Sequence, residues 1–138
     1  MIILDTDVLS LAMRADAAVL SWLDLQPPTS VWTTTITILE IRFGLAIMPD
    51  GRRRTQGQVA FERIVADKLE RRLLSFDESA AEAAAALMEA RYRAGRRREN
   101  RDTMIAGIAL AHRATLATRN VRHFDDLDVP VVDPWQDR

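Results

Sequence analysis

Residues 2–10 read IILDTDVLS, and the class of fold turns on them. The apolar run from Met1 to Leu4 has the length of a short strand and no polar alternation, as expected of a strand covered on both faces. Asp5 ends that run and brings a carboxylate to the strand's C-terminal end. Asp7 can cap a helix beginning at Val8, so strand, acid and helix follow one another within nine residues.

The same alternation recurs outward from this stretch. Asp16 can cap a helix carrying Val19, Leu20, Trp22, Leu23 and Leu25, which Pro27 and Pro28 close before a second strand at Val31–Thr33. Ile36, Leu39, Ile41, Phe43, Leu45 and Ile47 mark a mostly apolar helix stopped by Pro49, Asp50 and Gly51. Gln58–Leu69 reads as an amphipathic helix with Val59, Phe61, Ile64, Val65 and Leu69 on its apolar stripe, which serves either as core or as a docking surface. A third strand is expected at Leu73–Phe76, then a helix capped by Asp77 that runs through Tyr92 to Gly95, its Ala83–Ala86 stretch permitting close packing. Asp102 opens a helix with Met104, Ile105, Ile108, Ala109 and Leu110, ahead of strands at Thr115–Thr118 and Val129–Val132. Strands separated by helices at this spacing imply right-handed crossovers. The expected class is α/β: one three-layer α/β/α domain over residues 1–138, with a central, mainly parallel sheet of four or five strands and arginine-rich loops between the periodic segments.

Composition narrows the chemistry. The chain has 138 residues and no cysteine, which excludes thiol catalysis, disulfide exchange, zinc ribbons and iron–sulfur clusters. Any metal must bind oxygen or imidazole. No apolar run approaches the ~20 residues of a membrane span, and no basic leader precedes Ile2, so a cytoplasmic protein without a membrane partner is expected. The net charge of −1 offers no global attraction for nucleic acid, yet arginine clusters at Arg52–Arg54 and at Arg96, Arg97, Arg98 and Arg101. Such runs serve as solvated surface or as phosphate grips. The second cluster lies directly before Asp102, where it could hold backbone phosphates.

In an open parallel sheet, ligands collect outside the carboxyl ends of the strands. Asp5 and Asp7 follow the first strand, Glu40 interrupts an apolar stretch of the helix after the second, and Thr118-Arg119-Asn120 follows the fourth. Asp7 and Asp102 have capping as an alternative task, and Glu40 has pairing with an arginine. Asp5, ending an apolar strand, has no obvious structural task. Carboxylates converging from these segments would repel one another unless a cation neutralised them, and hard oxygen donors favour Mg2+ or Mn2+. Such an ion suits phosphodiester hydrolysis by an activated water with no covalent intermediate.

At these residues the chain resembles the PIN-domain ribonucleases, specifically the VapC-type toxins of bacterial toxin–antitoxin pairs, including their FitB-like branch. The resemblance is carried by Ile2–Ser10 (IILDTDVLS), Thr35–Gly44 (TITILEIRFG), Asp102–Ala109 (DTMIAGIA), Ala117–Phe124 (ATRNVRHF) and Val131–Trp135 (VVDPW), and spans nearly the whole chain. It implies a Mg2+-dependent endoribonuclease, with Mn2+ as a substitute, in which Asp5, Glu40 and Asp102 occupy the acidic metal-binding positions. Thr6 matches the threonine after the first acid, and Thr118 and Asn120 match the polar turn bordering the site. There are two departures. Asp7 stands where relatives usually carry asparagine, and His123 stands where many place the acid that completes the set, with Asp125 and Asp126 nearby as stand-ins. His123 would ligate metal or hold a water, or lie idle on the surface; His112 lacks a spaced partner and is read as structural.

The resemblance further implies a cognate VapB-like antitoxin whose C-terminal segment fills the active groove, a homodimer, and operator DNA reached only through the antitoxin. The Val59–Leu69 helix is a candidate clasp for that segment. Two rivals stand beside this reading. A phosphoacceptor receiver domain needs a well-placed lysine, and the single lysine is Lys68. A PIN-fold protein with weak or no catalysis would act only with its antitoxin in operator binding and autoregulation.

Overall fold

The computed structural model describes residues 1–136. Strand β1 (Ile2–Leu4) leads into helix α1 (Thr6–Met13), followed by α2 (Ala17–Asp24) and β2 (Val31–Thr34). Helices α3 (Thr35–Ala46) and α4 (Arg52–Arg63), the latter continued by a π-helical turn over Ile64–Lys68, lead to β3 (Leu73–Leu74). Then come α5 (Glu78–Arg93), α6 (Asn100–His112), β4 (Thr115–Ala117), a 3-10 turn at Val121–Phe124 and β5 (Val131–Val132). The strands lie in the order β3-β2-β1-β4-β5 and every pairing is parallel, with Ile3 opposite Trp32 and Leu116, and Leu4 opposite Ala117.

Two apolar clusters, one on each face of the sheet, make this a three-layer α/β/α fold. Successive strand residues point to opposite faces. Leu4 accordingly joins Val8, Leu9, Trp22, Leu23, Phe61, Val65 and Leu69 from α1, α2 and the α4 segment. Its neighbour Ile3 joins Ala80, Leu87, Ile105, Ile108 and Leu116 with α5 and α6. The alanine-rich stretch does allow close packing: a Cβ on Gly107 of α6 would lie 2.6 Å from the Ala80 carbonyl and 2.7 Å from the Ala84 Cβ of α5.

Several expectations need correction. Asp5, not Asp7, caps α1, its Oδ1 accepting from the Val8 N–H at 2.9 Å, so Asp5 has a structural task after all. Glu99, not Asp102, caps α6 by accepting from the Asp102 N–H at 2.9 Å. Arg52–Arg54 form the first turn of α4 instead of a loop. The outer strands β3 and β5 have two residues each, shorter than the apolar runs suggest, because each is an edge paired on one side only. Along the amphipathic segment Phe61, Val65 and Leu69 are buried, so its stripe is core; Val59 alone among these faces outward.

Candidate functional site

The strand order reverses direction at β1: the chain first moves outward to β2 and β3, then returns to the other side of β1 to lay down β4. A crevice opens at the carboxyl ends of strands at such a switch point. Asp5 at the end of β1 and Thr118 to Asn120 after β4 therefore meet there, tied by the Asp5 N–H donating to the Ala117 carbonyl at 3.1 Å.

Asp5 is 5% exposed. Burial pushes its carboxyl up from 3.8 to about 7, against the opposing hydrogen bonds from the Thr118 hydroxyl and the Val8 N–H; the charges of Asp7 and Asp102 push further upward. Asp102 sits in the first turn of α6 with its side chain half-buried. Its carboxyl is also raised, first by burial and then by Glu99, Glu40 and Asp7, while His123 pulls it down. Thr6, the neighbour of Asp5, and Arg101, the neighbour of Asp102, both reach Glu40, which brings the three segments near one another.

Hydroxyls fix the orientation of these acids. Thr6 in the first turn of α1 donates to Glu40 Oε1 at 2.7 Å and lies 3.2 Å from the Thr37 hydroxyl. Thr118 donates to Asp5 and accepts from the Asn120 N–H at 3.0 Å. The Asn120 amide donates to Asp7 Oδ2 at 3.0 Å, clipping α1 to the turn after β4. His123 Nδ1 lies 3.9 Å from Asp102 Oδ2 and its ring is exposed. Arg101 bonds Glu99 at 3.1 Å and reaches Glu40 at 3.8 Å, bringing one cation to the rim of the acids.

The other proposed stand-ins are engaged elsewhere. Asp126 makes a two-point pair with Arg91 at 2.8 and 3.0 Å, and Asp125 pairs with Arg96 at 2.7 Å. Arg91, 4% exposed, also donates to Thr103 and to the His123 carbonyl at 3.0 Å each, which anchors the turn carrying His123. Within the second arginine cluster, Arg97 lies over the Tyr92 ring at 5.5 Å and Arg98 is half-buried beside it. His112 is exposed in the last turn of α6. Sequence reasoning passed over Arg91, Thr37 and Glu99. An arginine in an alanine-rich helix and a glutamate where aspartate is the commoner cap give weak local signals.

The donor set is all carboxylate oxygen with an excess of negative charge, which fits a hard divalent cation. Among the described residues no group of three His, Cys, Asp or Glu side chains is already drawn to ion-holding spacing. No helix among them is long and apolar enough to cross a membrane.

A family model described as PIN domain matches residues 2–130. The VapC ribonuclease Y4jK of Sinorhizobium fredii is 39% identical over 138 residues, covering 99% of both chains. Toxin FitB of Neisseria gonorrhoeae is 32% identical over 139 residues, covering 99% of this chain and 100% of its own. A solved structure of FitAB bound to an IR36 DNA fragment matches with a TM-score of 0.85 at 32% identity, covering 100% of this chain and 98% of that one.

Proposed function

This chain belongs to the PIN-domain family and is homologous to its VapC- and FitB-type toxins, and from that premise we propose that it is a Mg2+-dependent endoribonuclease, the toxin of a toxin–antitoxin pair. The observation that supports this reading is that Glu40 accepts from Thr6, the neighbour of Asp5, at 2.7 Å and lies 3.8 Å from Arg101, the neighbour of Asp102, so that acids from three distant segments border one crevice, with the carboxyls of Asp5 and Asp102 both raised. Retaining carboxyls so raised disfavours folding and makes sense where a cation is to be held.

Asp5, Glu40 and Asp102 would hold Mg2+, with Mn2+ as the nearest substitute. A bound divalent ion of this kind lowers the pKa of a water and screens the charge of a phosphodiester. Thr6 keeps one oxygen of Glu40 occupied, and Thr118 with the α1 backbone holds Asp5, so both acids are aimed before any ligand arrives. Asp102 is more open to water than Asp5 and is the carboxylate placed to accept a proton from it. Arg97 and Arg98, on the loop leading to α6, approach the RNA backbone, whereas Arg96 and Arg101 meet it only by giving up Asp125, Glu99 and Glu40.

The proposed partners are a VapB-like antitoxin and a second copy of the chain, with operator DNA reached through the antitoxin, as the assembly of FitAB on DNA suggests. Leu39 and Phe43 on α3 and Ile47 at its C-cap recur every fourth residue and are 55%, 57% and 66% exposed, an apolar stripe that needs a cover. A cleft of about 560 Å3 between α1, α3 and α4, lined by Thr6, Glu40, Leu45, Arg53 and Gln56, can receive the antitoxin segment.

The test incubates purified, antitoxin-free protein with RNA and Mg2+ beside Asp5→Asn and Asp102→Asn. Cleavage by the wild type alone, abolished by EDTA, is expected; equal RNA decay in all three would reject the site. A second reading, a catalytically weak protein acting with its antitoxin on operator DNA, is favoured by the approach of Arg101 to Glu40 and by the open spacing of the acids. It gains if the wild type leaves RNA intact while its complex with the antitoxin binds the operator.

A further inference from the structure

The segments ATRN and VVDPW end neighbouring parallel strands, and Arg119 and Trp135 within them take no part in holding the acids. Thr118 N–H donates to the Val132 carbonyl at 2.9 Å, so β4 and β5 finish side by side. The buried Asp133 then accepts from the Trp135 N–H at 2.9 Å, forming a tight turn that fixes the indole. Arg119 lies over that indole with its guanidinium carbon 4.4 Å from the ring centroid. The stacking restrains a long side chain on a platform and leaves its five N–H donors without a carboxylate among the described residues.

Arg119 lines a cavity of about 400 Å3 together with Arg14, Ser10, Leu11, Asp7 and Asn120. Arg14 likewise has no carboxylate partner among the described residues. The single acid in the lining, Asp7, is already bonded to the Asn120 amide. Two arginines against one engaged acid leave an excess of positive charge, and hydroxyl and amide groups complete a lining suited to an anion. Asp7 follows the cap residue Asp5 in the first turn of α1, and Asn120 bonds both Asp7 and the Thr118 hydroxyl, which puts the cavity next to Asp5. A basic pocket bordering a carboxylate crevice is what a polyanion needs to lie across it, because its phosphates are otherwise repelled.

We propose that the Arg14–Arg119 cavity binds a backbone phosphate of single-stranded RNA adjoining the cleaved linkage, with a neighbouring base stacking on Trp135. The proposal deepens the endoribonuclease reading and rests on it for the identity of the strand. Phosphate held by two guanidiniums and a base held on an aromatic face form the usual pair of contacts to unpaired nucleic acid. Arg14 and Arg119 are thus positioning residues, acting on the strand and not on the reacting atoms.

The experiment measures binding of a short, fluorescein-labelled single-stranded RNA of mixed sequence to the antitoxin-free protein in EDTA, over a series of salt concentrations. Arg119→Gln should weaken binding about tenfold and flatten the slope of log affinity against log salt by about 0.7, the increment for one phosphate contact to a single strand. Trp135→Ala removes both the platform for the base and the rest for Arg119, so it should weaken binding at least as much as Arg119→Gln while flattening the slope by no more than that variant does. Arg119→Lys should keep the slope, and Arg113→Gln, at the opposite end of α6, should change neither quantity. Wild-type affinity and slope in the Arg14→Gln, Arg119→Gln double variant, with its thermal unfolding unchanged, would overturn the proposal. Binding in EDTA separates this from catalysis. RNA cleavage with an inert cavity defeats only the subsite, and arginine-dependent binding without cleavage defeats only the nuclease.

Discussion

Asp5→Asn should stabilise the protein at neutral and alkaline pH while removing the proposed ribonuclease activity. Asp5 is buried, and its carboxyl is raised from 3.8 to about 7 mainly by that burial. An acid whose folded pKa exceeds its unfolded one binds its proton more tightly in the fold, so its contribution is full below 3.8. Stability then falls as pH rises through the interval to about 7. A displacement of that size corresponds to roughly 4 kcal/mol of lost stability on the alkaline side. Asparagine caps a helix as well as aspartate does and can accept from both the Val8 N–H and the Thr118 hydroxyl. Burying its amide costs about 1–2 kcal/mol, which leaves a net gain on the order of 2–3 kcal/mol. Urea unfolding in EDTA should show Asp5→Asn less stable than the wild type by about 1 kcal/mol at pH 4, the order reversing as pH rises toward 7, and a plateau above it. Added Mg2+ should then narrow the gap by stabilising the wild type alone. A gap that is absent, or the same at every pH, would mean that Asp5 carries no burial penalty, and the electrostatic argument for a cation would go with it.

Gly107→Ala should destabilise, because the new methyl meets a backbone carbonyl of α5 that cannot swing aside. Overpacking set against the better helix propensity of alanine leaves about 1–2 kcal/mol, a fall in Tm on the order of 5 °C by calorimetry; an unchanged Tm would show that α5 and α6 separate freely. Asp126→Ala strands the buried Arg91 and should cost about 3 kcal/mol in urea unfolding, most of it recovered when Arg91→Met is added. Failure of the second substitution to rescue would mean that the pair is not the origin of the loss.

The layer order and strand positions are legible in the chain because buried strands and amphipathic helices differ in period. Helix caps are not so legible. Asp5 and Asp7 are equally good acceptors two residues apart, and only the extended backbone at Asp5 decides between them. Glu99 caps α6 because the preceding loop aims it at the Asp102 N–H, a tertiary fact that local preference for aspartate conceals. Asp5 can be singled out as a carboxylate at a strand end, whereas Glu40 and Asp102 sit on helices, where only the family resemblance marks them. The fates of the arginines cannot be read, because a side chain that long chooses its partner in space: Arg96 finds Asp125, Arg101 turns to Glu99, and Arg91 disappears into the core.

The placement of β4 beside β1 has a consequence for biogenesis. The strand that closes one wall of the crevice follows more than a hundred residues after the one that founds it, so a nascent chain can lay β2 beside β1 and β3 beside β2 long before the crevice exists. Protein domains emerge from the ribosome N-terminus first. A chain stalled or cut short before Thr115 would therefore lack one wall of the crevice, and whatever the crevice binds would meet a complete site only near the end of synthesis.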